Sequence, residues 1–134
     1  MKTLLTIGQL SKRIATTAAT IRYYEKEGLI PPAPRSQGGY RLYSESLVPR
    51  FNFIKNAKAV GFSLTEIKKL LSLQQNKQAS SQNVKNLTLM KVDEITQKIN
   101  ALKQIQNTLA QWASTCNGKV PVHQCPIVEN LYKK

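Results

Sequence analysis

Cys116 and Cys125 are the residues best equipped for chemistry in this 134-residue chain, and they are its two cysteines. They lie nine steps apart in Cys116-Asn117-Gly118-Lys119-Val120-Pro121-Val122-His123-Gln124-Cys125. Gly118 and Pro121 make the intervening segment a turn, so both sulfurs can converge on one point. Paired thiolates select soft metals, and a bare pair suits linear coordination of a monovalent ion such as Cu(I). A tetrahedral Zn(II) site needs two further donors. His123, the single histidine, is the local candidate for a third ligand, against the plainer reading of a solvent-exposed loop residue. Two other uses of the thiols stay open. One is a disulfide, uncommon in the cytosol and usually redox-active there; the other is a pair of inert core thiols, which the polar surroundings disfavour.

Little else suggests catalysis. The chain has no Ser-His-Asp set, no glycine-rich phosphate loop and no carboxylate pair on one helical face, so an enzyme is not expected. Twenty Lys and Arg stand against seven Asp and Glu, a net charge of +13. Residues 1–77 hold thirteen bases and four acids, net +9, while residues 78–134 hold seven and three, net +4. So basic a half points to a polyanion partner, because neutralising phosphates releases condensed counterions. No run of eighteen apolar residues occurs, which leaves no membrane-spanning helix. The amino terminus reaches Gly8 and Gln9 before a secretory core develops, so the chain is expected in the cytoplasm, with no membrane partner.

The elements that must position these residues are mostly helical. Thr6 reads as an N-cap with Gln9 as its capping-box partner, opening a short helix with Ile7, Leu10 and Ile14 on one stripe. Ala15-Thr16-Thr17 breaks that stripe, and a second helix from Ala18 carries Ile21, Tyr24 and Glu25 before stopping at Gly28. Two short helices across a tight turn outline a helix-turn-helix, whose second helix enters the major groove. Pro31, Pro32 and Pro34 forbid a further turn of helix, and Gly38-Gly39 predicts a small hairpin, a wing, over residues 35–43.

A third helix is expected from about Ser44 to Ala59, with Leu47, Phe51, Ile54 and Ala57/Lys58 on its buried face. Pro49 falls in its first turn if Ser46 is the N-cap and predicts a kink otherwise. Gly61 ends it; Ser63, with Glu66, caps a fourth that turns Leu64, Ile67, Leu70 and Leu71 inward. The polar stretch 74–82 reads as a loop. From Val84 to about Ser114 one uninterrupted pattern follows, with Val92, Ile95, Ile99, Leu102, Gln106, Leu109 and Ala113 on a heptad seam that Ile105 and Trp112 widen. Some thirty residues of helix exceed what so small a domain can cover, which predicts antiparallel or parallel pairing with a second copy, Gln106 favouring one register.

In combination these segments resemble the MerR family of bacterial transcription activators. The likeness rests on Thr6-Ile7-Gly8-Gln9-Leu10, on Thr20-Ile21-Arg22-Tyr23-Tyr24-Glu25-Lys26-Glu27-Gly28-Leu29-Ile30, and on Gly39-Tyr40-Arg41-Leu42-Tyr43. Arg50 through Phe53-Ile54, Gly61-Phe62-Ser63-Leu64 and the long helix continue it, and Cys125-Pro126-Ile127-Val128-Glu129-Asn130-Leu131 resembles the close of the copper-efflux branch. The fold this implies is mainly α: a winged helix-turn-helix DNA-binding domain with a long dimerisation helix in an antiparallel coiled coil. The divisions expected are a DNA-binding domain at 1–75, a linker and dimerisation helix at 76–114, and a metal-binding loop with a short carboxy-terminal helix at 115–134.

The family implies a homodimer on a pseudo-palindromic, double-stranded promoter whose spacer is too long for RNA polymerase. Metal binding lets the dimer bend and untwist that spacer, at a deformation cost that backbone contacts must offset. Carried over by resemblance, Thr17, Thr20, Arg22 and Tyr23 make groove and phosphate contacts, while Arg35, Tyr40 and Arg41 reach the backbone from the wing. Relatives that sense divalent ions open the dimer helix with a third cysteine, and Ser81 stands at that place here, which favours Cu(I) with Ag(I) and Au(I) as mimics. The nine-step loop is one step longer than the copper branch implies. It is nearer the zinc, lead and mercury branches, which keeps open a Zn(II), Cd(II), Pb(II) or Hg(II) sensor using His123. A thiol redox switch and an architectural DNA binder are the remaining alternatives.

Overall fold

The computed structural model describes residues 3–134, which are mainly helical. They fall into two units, divided between Lys85 and Asn86.

The first unit starts with a three-residue strand, β1 (Leu4–Thr6), that leads directly into α1 (Ile7–Arg13). Thr6 Oγ1 accepts the Gln9 N–H at 3.2 Å and the Gln9 side-chain oxygen accepts the Thr6 N–H at 2.9 Å, the capping box expected from the sequence. The chain then turns at Ala15, whose φ of 52° places it in the left-handed region. A residue with a Cβ rarely enters that region, and holding one there costs about 1–2 kcal/mol. Thr17 caps α2 (Ala18–Lys26) by accepting the Thr20 N–H at 3.1 Å, and the helix closes before Gly28 at φ 79°. Both ends of α2 lie where local sequence put them.

Strand β2 (Leu42–Ser44) runs antiparallel to β1 with Leu5 opposite Tyr43. The sequence did not predict β1, because three residues are too few to show an alternation. Nor is the wing a regular hairpin. Its ladder is one bridge, Arg35 to Arg41, and the turn between is closed by the Gly39 N–H on Ser36 O at 3.0 Å and the Ser36 N–H on Tyr40 O at 2.6 Å. The Gly39 φ of 84° supplies the reversal.

The third helix begins later than expected. Ser44 caps one turn of 3-10 helix (Glu45–Leu47), and α3 (Val48–Ala59) follows with Leu47, not Ser46, at its N-cap and no side-chain cap bond. Pro49 therefore sits in the first turn, where no amide donor is needed, and no kink is required. Helix α4 (Leu64–Gln75) has the expected Ser63–Glu66 capping box, with Ser63 Oγ accepting the Glu66 N–H at 3.2 Å. The core joins these helices through Leu10, Ile21, Tyr43, Ile54 and Ile67, all fully buried. Each such aliphatic side chain stabilises the fold by about 1.5–3 kcal/mol.

Helix α5 (Ser81–Ser114) starts three residues before the apolar pattern does, which shortens the polar loop to residues 76–80. An apolar stripe reports what a helix packs against, whereas its ends follow the backbone bonds. A short α6 (Pro126–Tyr132) closes the chain. Among the described residues of the second unit, no hydrophobic side chain is buried. None of the described helices is long and apolar enough to cross a membrane.

Candidate metal centre and nucleic-acid interface

The thiol loop is assembled from successive local turns. The Cys116 N–H is bonded to Ala113 O at 3.2 Å, so the first thiol still belongs to the last turn of α5. Asn117 Oδ1 accepts the Lys119 N–H at 2.8 Å and Gly118 takes φ 76°, which reverses the chain. Pro121 starts a turn of 3-10 helix (Val122–Gln124), and Cys125 is the N-cap residue of α6. The two half-buried sulfurs end 3.7 Å apart, far from the about 2.05 Å of a disulfide, so both thiols are free.

The backbone N–H groups of Val128 and Ile127 lie close to the Cys125 sulfur, although they do not form a regular cap bond with it. Val128 contributes most to holding the Cys125 thiol below its ordinary value; burial opposes it, and Cys116 and Ile127 assist. His123 lies on the 3-10 turn, exposed, with Nε2 at 3.5 Å from Gln124 Nε2. Among the described residues no group of three His, Cys, Asp or Glu side chains is placed to hold a metal ion, so His123 does not join the two sulfurs. Ser81, exposed, opens α5 at the end opposite the thiols.

Within the first unit, α2 turns Ile21 and Tyr24 into the core and leaves Arg22 and Tyr23 exposed. Thr17 and Thr20 are tied to each other, Oγ1 to Oγ1 at 2.8 Å, so their hydroxyls hold the start of the helix. On the wing, Arg35 Nη1 donates to Gly39 O at 3.2 Å, and Tyr40 is 70% exposed. Arg41 is half-buried and reaches back to α2, its Nη1 3.9 Å from Glu25 Oε1. The same carboxylate oxygen accepts the Tyr43 hydroxyl proton at 3.3 Å. Burial, reinforced by Glu25 and opposed by Arg41, pushes the Tyr43 phenol above its ordinary value and keeps it a donor. Glu25 and Tyr43 were not singled out as partners from the sequence, since eighteen residues separate them and no local periodicity pairs them.

A basic, exposed helix beside a basic turn, with a long apolar helix and a thiol pair following, matches two overlapping family descriptions. The MerR HTH family regulatory protein description matches residues 5–74, and that of MerR, DNA binding, matches residues 48–112. The chain belongs to the MerR family. It is therefore a transcriptional regulator and not an enzyme. It is 39% identical over 128 residues to the mercuric resistance operon regulatory protein of Bacillus cereus, covering 96% of this chain and 97% of that one. It is 38% identical over 127 residues to the transcriptional regulator CueR of Escherichia coli O6:H1, covering 95% and 93%. In structure it resembles the regulator PbrR691 of Ralstonia metallidurans CH34, crystallised with lead(II), at TM-score 0.86 and 30% identity over 95% and 98% of the two chains. A MerR-type winged helix-turn-helix with a long following helix is thus the fold of this protein.

Proposed function

We propose that this MerR protein is a cytoplasmic soft-metal sensor that binds promoter DNA as a homodimer and activates transcription by RNA polymerase when Cu(I), Ag(I) or Au(I) occupies Cys116 and Cys125. The observation that carries the metal choice is the donor set: two free thiols 3.7 Å apart, joined by no third His, Cys, Asp or Glu among the described residues. Such a set fits a soft ion, and a monovalent one needs no more than two thiolates. Bound there, the ion supplies a soft crosslink between the two sulfurs. The protein's own part is to keep Cys125 readily ionised through the Val128 amide and to fix both sulfurs at the junction of α5 and α6.

The divisions that serve this reading are a DNA-binding domain at 1–75, a linker and dimerisation helix at 76–114, and a metal loop with α6 at 115–134. Thr17, Thr20, Arg22 and Tyr23 on α2 are assigned to the groove, and Arg35, Tyr40 and Arg41 on the wing to the phosphates. The apolar face of α5 supports the dimer, because Val92, Ile99, Leu102, Ile105 and Leu109 are each between 46% and 64% exposed in the single chain. In an antiparallel pair, Ser81 of one copy meets the thiol end of the other, and its hydroxyl adds no soft donor.

A second reading has its own support. Two Zn–S bonds of about 2.3 Å hold their sulfurs about 3.8 Å apart at the tetrahedral angle and about 4.6 Å apart when linear. The observed 3.7 Å is nearer the bent value, and the relatives include a mercuric regulator and a lead(II)-bound structure. X-ray absorption on reduced protein loaded with Cu(I), and separately with Zn(II), decides between them. Two sulfur neighbours with Cu(I), unaffected by His123→Ala, support the first reading; a nitrogen neighbour lost in His123→Ala supports the divalent one. Transcription of a purified template triggered by peroxide with no metal present would replace both with a thiol switch.

A further inference from the structure

Glu25 is an acid placed against the surface that faces DNA in the proposed function. It lies three residues after Arg22, one helical turn along α2, on a unit whose charge is strongly positive. A bare carboxylate there would repel phosphate. It is not bare: its side chain is 11% exposed, and one oxygen faces both the Tyr43 hydroxyl at 3.3 Å and the Arg41 guanidinium at 3.9 Å. These two partners are held very differently. Tyr43 is fully buried in the core on β2, so its hydroxyl is fixed. Arg41 is 37% exposed at the base of the wing; it lies beyond hydrogen-bond distance of Glu25, whose charge draws it, and its side chain also meets the Tyr43 hydroxyl.

We infer that Glu25 is a positioning residue, anchored by Tyr43, that holds Arg41 back from indiscriminate phosphate contact and so sets the wing against the recognition helix. The inference rests on the proposed DNA-binding role. Two physical consequences follow. Removing the charge of Glu25 releases Arg41 to any phosphate, which raises sequence-independent affinity and its salt dependence. It also loosens the wing relative to α2, which lowers discrimination between the right duplex and a random one, because phosphate contacts set register and base contacts read sequence.

The test uses the full-length dimer with two probes: a duplex enriched by the parent protein from a randomised library, and an unselected random duplex of equal length. Glu25→Gln keeps an oxygen for Tyr43 and removes the charge facing Arg41. Its salt slope on the random duplex is expected to steepen by about 1 for each protomer's Arg41, with the selected-to-random affinity ratio falling about three- to tenfold. Tyr43→Phe keeps the buried ring but removes the hydroxyl that anchors Glu25, and is expected to steepen the slope in the same direction as Glu25→Gln, by less; an unchanged slope overturns the anchoring role of Tyr43. Arg41→Gln is expected to cost more slope in the Glu25→Gln background than in the parent. Equal slopes for parent and Glu25→Gln, or an Arg41→Gln cost the same in both backgrounds, overturn the inference. If Glu25→Gln fails to fold, Glu25→Asp withdraws the charge by one methylene and must shift the slope in the same direction by less. A parent protein that enriches no duplex refutes the DNA-binding reading itself, a result distinct from either failure.

Discussion

The two units of this chain solve the burial problem in opposite ways. Among the described residues, Leu10 to Leu71 hold all thirteen buried hydrophobic side chains, drawn from four helices and their ends, β2 and the segment before the wing. Beyond residue 85 the apolar residues are as large, yet Leu102 is 64% exposed and Leu109 54%. The first unit closes its core from within. The second presents a continuous apolar stripe on a helix of 34 residues, and none of its described hydrophobic side chains is buried. A stripe of that length on a water-facing helix fits the second copy proposed above, on which reading the unit that carries the thiols depends on assembly while the unit that carries the basic helix does not.

The sharpest way to break this contrast is Leu102→Asp. A charge on the stripe is expected to turn the dimer into a monomer by sedimentation equilibrium and to weaken binding to a two-half-site duplex by about 100-fold or more, since the second half-site contact is no longer tethered. A Leu102→Asp protein that stays dimeric would place the interface elsewhere. In the first unit, Ile54→Ala empties a fully buried position and is expected to cost about 2–5 kcal/mol in urea unfolding, with the dimer intact at low denaturant. Ser63→Ala removes a capping oxygen from α4 and is expected to cost about 1 kcal/mol in the same measurement.

The smallest effect concerns one sulfur. A thiol held below its ordinary value is already ionised at a pH where a free one is protonated, so Cys125 is expected to alkylate with iodoacetamide at lower pH than the cysteine of an unstructured peptide spanning the same loop. Peptide mass spectrometry of reduced, metal-free protein reads the pH dependence. The same pH dependence for Cys125 in the protein and in the peptide would show that the Val128 amide does not stabilise the thiolate.

Much of the helical framework was legible before folding was considered. Thr6 with Gln9 and Ser63 with Glu66 mark helix starts because a cap is written within four residues, and Gly28 and Gly61 mark ends because each takes the positive φ a helix stop favours. The α3 start was misplaced at Ser44 because Ser44 does cap a turn, only a 3-10 one, and a serine cannot announce which kind of helix follows. The thiol loop was legible as a spacing and a turn, but not as a distance.

Sequence alone determined where the chain turns helical, which stripes are apolar, that positive charge gathers in the first half, and that two thiols share one loop. The charge is a matter of composition; the others are relations among neighbours three to nine residues apart, which chain stiffness preserves whatever the rest of the molecule does. Tertiary structure alone decided that β1 pairs with β2, that Glu25 meets Tyr43 and Arg41, and that His123 stands apart from two sulfurs 3.7 Å from each other. The first two are contacts across sixteen to forty residues, set by how helices dock in a shared core. The third depends on side-chain directions at the end of a turn, which spacing leaves free.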